Sequence, residues 1–370
     1  MQNGQMQAPP FALATRKMRQ IQAQVAYSQN QLVTSPIPKN GYLARIAGYM
    51  EVVFTTAATG TYTALTSRSK TGGPTPFNAI TRLRVTSNQS NVLYDTTLWA
   101  NYLINRHIYP IFDPFGTTKN TGYLQSSSID QGAWQIPSSF TTSTQYTIRC
   151  PINIPIALSE SLQAGLILTQ TDRVNLNLEV QWGNIESTTG IISLTGTTPS
   201  ITVNSATVQW YTETFAAPPM PESQPDDSYL HVWQEDILDF TANGDVIVRP
   251  PTVGPIYLAQ IHELVNNSAA IGVSSVTNVR TIFSASQQAE NLTARTFQLQ
   301  QAQQLIGLPI PEGCYLHNYK FGSGDAWFAD RRDFVDTANI LDYQIVYTMS
   351  GLTVSGAFVR NIRETLVPNF

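Results

Sequence analysis

The sequence has 370 residues, of which 42% are hydrophobic and 12% are charged, and its formal net charge is -4. The charged share is about half that of an ordinary soluble domain, a composition that suits a β-rich protein covered by neighbouring copies. The acidic balance, with no basic stripe beyond the N-terminal region, argues against a broad phosphate-binding surface and sequence-specific nucleic-acid recognition.

The two cysteines, Cys150 and Cys314, form no disulfide framework and no CxxC metal motif. They predict free thiols and folding in the cytoplasm. The sequence contains no apolar run with the length of a signal peptide or a membrane-spanning helix. We therefore expect a protein that is neither secreted by the usual route nor integral to a membrane.

The N-terminal region, residues 1–40, is predicted to be a basic arm, because the first 50 residues contain five basic and no acidic residues. Apolar residues spaced three and four apart predict an amphipathic helix over 11–25 with a basic polar face. This helix could dock on its own domain, or it could meet a membrane or a neighbouring subunit. The apolar positions are Phe11, Ala14, Met18, Ile21 and Val25, and the basic ones are Arg16, Lys17 and Arg19.

Short strands separated by turn-forming clusters are predicted next, followed by a helix that Asp95 or Thr96 caps and that runs to about Arg106. A polar loop follows over 116–144. The clearest strand lies in TDRVNLNLEVQWG, residues 171–183, where apolar and polar residues alternate. The other predicted strands cover 42–55, 79–86, 91–94, 146–158, 191–194 and 201–211.

Residues 216–228, AAPPMPESQPDDS, are predicted to be a solvated, proline-rich linker between two domains. A glutamine-rich helix is expected over 287–306, before Gly307 and Pro309. The strands predicted after the linker cover 245–249, 256–265, 273–283, 314–321, 339–349 and 352–359.

The two halves repeat one order of elements. Cys150 and Asp172 are 22 residues apart, as are Cys314 and Asp336, and each cysteine lies in a predicted strand. Two similar β-domains are therefore expected. Short strands with one interspersed helix per half favour an all-β protein of two tandem eight-stranded jelly rolls, at 41–215 and 229–360, with a few flanking helices and a tail at 361–370.

Catalytic and metal-binding motifs are absent from the sequence: the four histidines are scattered, and no HExxH, P-loop, GxSxG or GxGxxG pattern occurs. Asp330, Asp333 and Asp336 form the one dense carboxylate series. Arg331 and Arg332 favour a salt-bridged loop there over a cation site, and Asp172 and Asp336 are interpreted as turn-forming residues at strand entries. We expect no cofactor and no enzymatic activity.

Several segments together resemble the double jelly-roll major capsid proteins of tailless, membrane-containing icosahedral phages, the tectivirus type. These are GYLARIAGYMEVVF from Gly41, IPIALSESLQAG from Ile154, DRVNLNLEVQWG from Asp172, and EGCYLHNYKF with DTANILDYQIVY in the second half. The resemblance implies a virion protein that forms homotrimers, whose six rolls make pseudo-hexagonal capsomers around an internal membrane vesicle. Minor capsid or vertex proteins would be further partners.

The resemblance also implies where contacts lie. The N-terminal helix would face the vesicle, and the C-terminal tail would adapt between neighbours. The implied inner-shell contacts are Phe11, Arg16, Lys17, Met18, Arg19, Ile21 and Val25, and the implied tail contacts are Arg360, Arg363 and Phe370. Two other functions stay open: a virion spike or lectin-like protein that binds glycans, and a β-sandwich enzyme acting on glycans through carboxylates such as Asp172 and Asp336.

Overall fold

The part of the chain that the computed structural model describes contains twenty-three strands, three α-helices and one 3-10 helix. That part comprises residues 11–88, 91–108, 136–158, 164–171, 174–219, 223–225, 228–251, 254–283, 287–304, 311–319, 334–338, 340 and 342–369. The predicted loop at 116–144 lies largely outside these ranges.

The first half contains two helices and thirteen strands. They are α1 (Phe11–Ala14), β1 (Lys17–Ile21), β2 (Val25–Ala26), β3 (Leu32–Pro36), β4 (Tyr42–Thr56), β5 (Thr61–Thr63), β6 (Ile80–Ser87), β7 (Asn91–Thr96), α2 (Leu98–Ile108), β8 (Ser139–Phe140), β9 (Gln145–Pro155), β10 (Ile167–Leu168), β11 (Leu176–Trp182), β12 (Ser193–Thr195) and β13 (Ile201–Phe215).

The second half contains ten strands and one α-helix, together with a 3-10 helix at Val273–Ser275. They are β14 (Tyr229–Phe240), β15 (Gly244–Val248), β16 (Ile256–Asn266), β17 (Ala269–Ala270), β18 (Val276–Phe283), β19 (Gln287–Thr293), α3 (Ala294–Gln304), β20 (Cys314–Asn318), β21 (Val335–Asp336), β22 (Tyr343–Met349) and β23 (Ala357–Pro368).

Each half has the strand order of a jelly roll. The first roll pairs its main strands as β1-β13-β4-β9 and β3-β11-β6-β7, and the second pairs them as β14-β23-β16-β20 and β15-β22-β18-β19. In both, the first, eighth, third and sixth main strands form one sheet, and the second, seventh, fourth and fifth form the other. The predicted all-β double jelly roll is confirmed.

The strands form because apolar residues alternate along them. In β11, Leu176, Leu178, Val180 and Trp182 are buried and the residues between them are half-buried, since alternate side chains point to opposite faces of a sheet. In β23, ten consecutive residues are buried. Both faces of β23 are covered, because Val359 lies in the second-roll core and Ile362, on the opposite face, lies in the cluster that contains the first-roll core.

The predicted N-terminal helix is wrong beyond its first turn. The helix α1 has four residues, and β1 follows as the first strand of the first roll. Lys17 to Ile21 pair with Phe215 to Tyr211 of β13, so Arg19 lies opposite Glu213 and Ile21 opposite Tyr211. The pairing with β13 therefore decides the conformation of residues 17–21, although the spacing of their apolar residues is typical of a helix.

Three other predictions are corrected. Residues 287–293 of the expected glutamine-rich helix form β19, which pairs with β18. The expected tail from residue 361 continues β23 through Pro368, in register with β14 and β16. Within the predicted solvated linker, Ser223 and Pro225 are buried. The domain boundaries at 216 and 228 stay a prediction.

Candidate functional site

The two rolls are joined by a strand contact that we call the roll junction. Strand β7 of the first roll lies parallel to β14 of the second, with Tyr94 opposite Trp233 and Asp95 opposite Gln234. This contact makes one continuous sheet from a sheet of each roll. The two rolls therefore form one body with a defined relative orientation.

A buried ion cluster lies at the roll junction. Arg360 Nε donates to Glu263 Oε2 over 2.8 Å, and its Nη1 pairs with Glu235. The side chains of Arg360 and Glu263 are fully buried. Burial alone would lower the pKa of Arg360, but the two carboxylates outweigh it and raise that pKa. Arg360 therefore stays charged, and its pairing offsets the desolvation of the ions.

The first roll completes this cluster. Trp99 Nε1 donates to Glu263 Oε1 over 2.8 Å, and the backbone N–H of Thr97 donates to Glu235 over 2.6 Å. The carbonyl oxygen of Gly72 accepts from Arg360 over 3.1 Å. A Cβ on Gly73 would lie 2.6 Å from Cγ of Trp99, so only glycine allows the loop to approach the indole this closely.

A second ion cluster holds β1 to the first roll. The Glu213 carboxylate lies 3.1 Å from Lys17 Nζ, 2.6 Å from Arg19 Nε and 2.8 Å from Arg45 Nη2, and its side chain is 2% exposed. Burial alone would raise the pKa of Glu213. Hydrogen bonds and charge from Arg45, with hydrogen bonds from Lys17 and Arg19, outweigh this effect and lower the pKa to about 2.

The helices that follow the fifth main strand of each roll begin alike but differ in exposure. Thr97 Oγ1 accepts from the backbone N–H of Ala100 at the start of α2, and Thr293 Oγ1 accepts from that of Thr296 at the start of α3. Six residues after each capping threonine stands a leucine. Leu103 of α2 is 3% exposed, whereas Leu299 of α3 is 61% exposed.

The seven predicted N-terminal contact residues are not all available to a partner. Phe11 is buried against Tyr42 and Phe215, each with ring centroids 5.6 Å away, and Val25 lies in the first-roll core. Lys17 and Arg19 pair with Glu213. Arg16, Met18 and Ile21 are exposed, and Arg19 is exposed as well despite its ion pair.

The predicted tail contacts differ from expectation as well. Arg360 is not a free tail residue, because it lies in the buried cluster at the roll junction. Arg363 is largely buried and its Nη2 lies 2.5 Å from Asp236 Oδ2. Phe370 lies outside the described residues.

Of the predicted aspartates, Asp336 can be placed. Its Oδ1 accepts from the backbone N–H of Ala338 over 3.0 Å, which is the predicted turn-forming role. Asp172, Asp330 and Asp333 lie outside the described residues. Within the described ranges, no group of three His, Cys, Asp or Glu side chains could hold a metal ion, and no helix there is long and apolar enough to cross a membrane.

A buried polar network fills part of the second-roll core. His262 Nδ1 lies 2.7 Å from the Tyr347 hydroxyl, and His317 Nε2 lies 2.8 Å from the same oxygen. Burial lowers the pKa of His262 to about 3, and burial lowers the pKa of His317 well below its ordinary value. These neutral, enclosed imidazoles are suited to holding the two sheets together rather than to meeting a substrate.

An open cleft of about 310 Å³ lies between α2 and the first-roll sheet formed by β1, β13, β4 and β9. Tyr102 and Arg106 contribute from the helix, and Arg45, Tyr49 and Tyr211 contribute from the sheet. The cleft lies beside the Glu213 cluster, so it belongs to the same surface of the first roll.

Sequence reasoning missed both the Glu213 ion cluster and the exposure of Leu299. Glu213 lies in β13 beyond the strand predicted over 201–211, and Leu299 lies in the glutamine-rich helix. One local signal does exist, because both helices begin with threonine at the capping position and carry leucine six residues later.

Solved viral capsid structures share this fold. The major capsid protein of STIV, Sulfolobus Turreted Icosahedral Virus, matches with a TM-score of 0.67 and 11% identity over 96% of this chain and 98% of that one. A quasi-atomic model of the PBCV-1 virus capsid matches at 0.62 and 9% identity, over 95% and 94%. The major capsid protein P2 of bacteriophage PM2 matches at 0.50 and 11% identity, over 96% and 98%.

No protein-family model matches the sequence, and no curated protein matches it. The structural likeness, at these identities, establishes the fold.

Proposed function

We infer that this chain is the major capsid protein of an icosahedral virion, which assembles as homotrimers and tiles them into a shell. The roll junction carries this proposal. The junction holds two rolls with the same strand order side by side, so each chain is a rigid pair of similar domains. Three such pairs can close a ring of six blocks with pseudo-hexagonal outline.

Two further observations support a structural role. Solved structures that share this fold over nearly their whole length include viral capsid proteins. In addition, large apolar side chains are exposed on several strands and one helix, as expected of a surface that meets other copies. They are Met18, Ile21, Leu32, Leu238, Ile247 and Leu299.

The glycan-binding alternative has less support. Glycan-binding surfaces use exposed aromatic rings as platforms, and the exposed large apolar residues of the described chain are all aliphatic. An enzyme would need accessible acid-base groups. The histidines of the described chain whose pKa is strongly lowered, His262 and His317, are enclosed in the second-roll core.

Light scattering on the purified protein tests trimer formation. The expected mass is three times 40.8 kDa, and negative-stain electron microscopy should show particles with a hexagonal outline. A protein that stays monomeric at micromolar concentration contradicts the proposal.

Contact between the N-terminal segment and an internal membrane stays a separate prediction, and so do minor capsid or vertex proteins as partners. The exposed Arg16, Met18 and Ile21 support the membrane contact, whereas the pairing of Lys17 and Arg19 with Glu213 reduces the free positive charge. Cosedimentation with phosphatidylserine vesicles, compared with phosphatidylcholine vesicles, tests it. We expect stronger binding to the anionic vesicles and a loss of that preference in Arg16→Ala.

A further inference from the structure

The cleft between α2 and the first-roll sheet has aromatic side chains on both of its walls. The helix contributes Tyr102, and the sheet contributes Tyr49 and Tyr211, with Pro151 and Ile152 beside them. These side chains line a space of about 310 Å³. Concave sites of this size with a mostly apolar lining are typical of small-molecule binding.

Three asparagines hold the two walls at a fixed separation. Asn101 Nδ2 donates to the backbone oxygen of Asn153 over 2.8 Å, and Asn153 Nδ2 donates to Asn105 Oδ1 over 2.9 Å. Asn105 Nδ2 donates in turn to Asn101 Oδ1 over 2.9 Å. This ring of hydrogen bonds joins α2 to β9, so the cleft is preformed and a ligand does not have to open it.

The aromatic walls are also held in place. Tyr102 stacks on Trp99 with ring centroids 5.1 Å apart and an interplanar angle of 20°, and its hydroxyl accepts from Arg106 Nη1 over 3.4 Å. On the sheet, the Tyr49 hydroxyl donates to Gln209 Oε1 over 2.9 Å. Fixed rings favour a flat aromatic ligand, because aromatic pairs gain from stacked and edge-to-face contacts beyond the burial of area.

The charge around the cleft is positive. Arg106 lines the cleft although its side chain is buried, with 7% of the residue exposed. Arg45, which also lines the cleft, shares the Glu213 carboxylate with two more bases, Lys17 and Arg19. Three cations on one carboxylate leave an excess of two positive charges, and low-dielectric walls concentrate such a field. An anion is the complementary ligand.

We propose that the cleft binds a small aromatic carboxylate. The ring of this ligand lies between Tyr102 of the helix and the two tyrosines of the sheet. Its carboxylate pairs with the guanidinium of Arg106, whose planar fork matches a carboxylate. The cleft has the space of about ten water molecules at about 30 Å³ each, so the ligand has on the order of ten to fifteen non-hydrogen atoms. The site lies within one chain and does not depend on self-assembly.

A matched pair of ligands tests the chemistry of the site. Naphthalene-2-carboxylate has a flat ring system and a carboxylate, and naphthalene-2-methanol has the same rings with a neutral hydroxyl. Calorimetric titration of the full-length protein should give one site per chain for the carboxylate, with a Kd below about 1 mM. The neutral compound should bind at least about tenfold more weakly, and added salt should reduce this difference. Equal affinities, or no binding of the carboxylate, overturn the proposal.

Three variants locate the site. Arg106→Gln should weaken binding of the carboxylate at least about tenfold and leave binding of the neutral compound unchanged. Ala47→Leu adds volume to the cleft lining and should weaken both compounds. Arg149→Gln is the matched control, because Arg149 lies on the same strand as Pro151 but outside the lining, and it should bind both compounds as the wild type does. Unchanged binding in an Arg106→Gln protein with a cooperative Tm overturns the assigned position.

A photoreactive carboxylate locates the site in the unsubstituted protein, so the test does not depend on the folding of a variant. Irradiation with 4-benzoylbenzoate should label peptides of β4, β9 or α2 that line the cleft, and excess naphthalene-2-carboxylate should remove the label. Labels confined to other peptides, or labels that the competitor does not remove, contradict the site. A monomeric wild type that binds the carboxylate would contradict the proposed shell function and leave this site standing.

Discussion

Arg360 and Glu263 form a fully buried ion pair, with Nε 2.8 Å from Oε2, on adjacent strands of the second roll and directly beneath the first. Glu235, Trp99 and the loop ending at Gly73 enclose this pair. The second roll thus provides the charges, and the first roll supplies part of the hydrogen bonding that makes their burial tolerable.

Arg360→Ala should destabilise the protein by about 3 to 5 kcal/mol, because it leaves the buried carboxylates of Glu263 and Glu235 without their main partner. Urea unfolding followed by tryptophan fluorescence measures the loss. Arg82→Ala is the control, since Arg82 pairs with Asp95 at the surface, and its loss should cost at most about 1 kcal/mol. Equal effects of the two substitutions would contradict a central role for the buried cluster.

The two capping threonines offer a matched pair. Thr293→Ala should cost about 1 kcal/mol, as expected for the loss of a helix N-cap. Thr97→Ala should cost about twice as much, because Thr97 Oγ1 also accepts from the buried Arg360 Nη1 over 3.3 Å, whereas the second hydrogen bond of Thr293 Oγ1, with the Thr296 hydroxyl, is exposed. Chemical denaturation compares them, with the two Thr→Ser variants as controls that retain the capping oxygen. A larger loss of stability in Thr293→Ala than in Thr97→Ala would contradict the additional role of Thr97 at the roll junction.

Glu213→Gln should loosen β1, because Lys17, Arg19 and Arg45 would then face one another without a neutralising carboxylate. Hydrogen exchange should become faster at residues 17–21 while the exchange of β11 stays unchanged. Glu51→Gln is the control, since Glu51 pairs with Arg149 in a partly buried contact, each side chain being 20% exposed. If β1 keeps its protection in Glu213→Gln, the ion cluster is not what holds the strand.

Stability should fall on mild acidification because of His262 and His317. Both have folded-state pKa values below the ordinary value of 6.5. The unfolded chain therefore binds more protons than the folded one below pH 6.5, and stability is lost as the pH falls below that value. For His262 the loss continues down to about pH 3, with a slope of about 1.4 kcal/mol per pH unit, and His317 adds to the loss in the same direction.

Urea midpoints measured between pH 7 and pH 5 check this slope. His262→Gln should flatten it, because glutamine does not titrate. The Glu213 carboxylate has its pKa lowered to about 2, so its contribution is lost only as the pH falls from about 4.5 toward 2, and it does not interfere between pH 7 and pH 5. An unchanged slope in His262→Gln would show that other groups cause the acid sensitivity.

Much of the fold could be predicted from local patterns. Alternation identified β11 and β22, and the repeated order of elements identified two jelly rolls. Cys150 and Cys314 lie at the same sequence distance from Asp172 and Asp336, but the surroundings of the two cysteines in the structure differ. Cys150 lies among the core strands of the first roll, whereas Cys314 lies near Glu263, Arg68 and Arg360 at the roll junction.

The sequence by itself determined where chain segments are extended, because apolar and polar residues alternate within each segment and this property is local. Only the tertiary structure decided the state of residues 17–21, since Arg19 and its partner Glu213 are 194 residues apart. It also decided that Arg360 is buried and Leu299 exposed. Burial depends on what packs against a side chain, and here the covering surface comes from the other roll, far away in sequence.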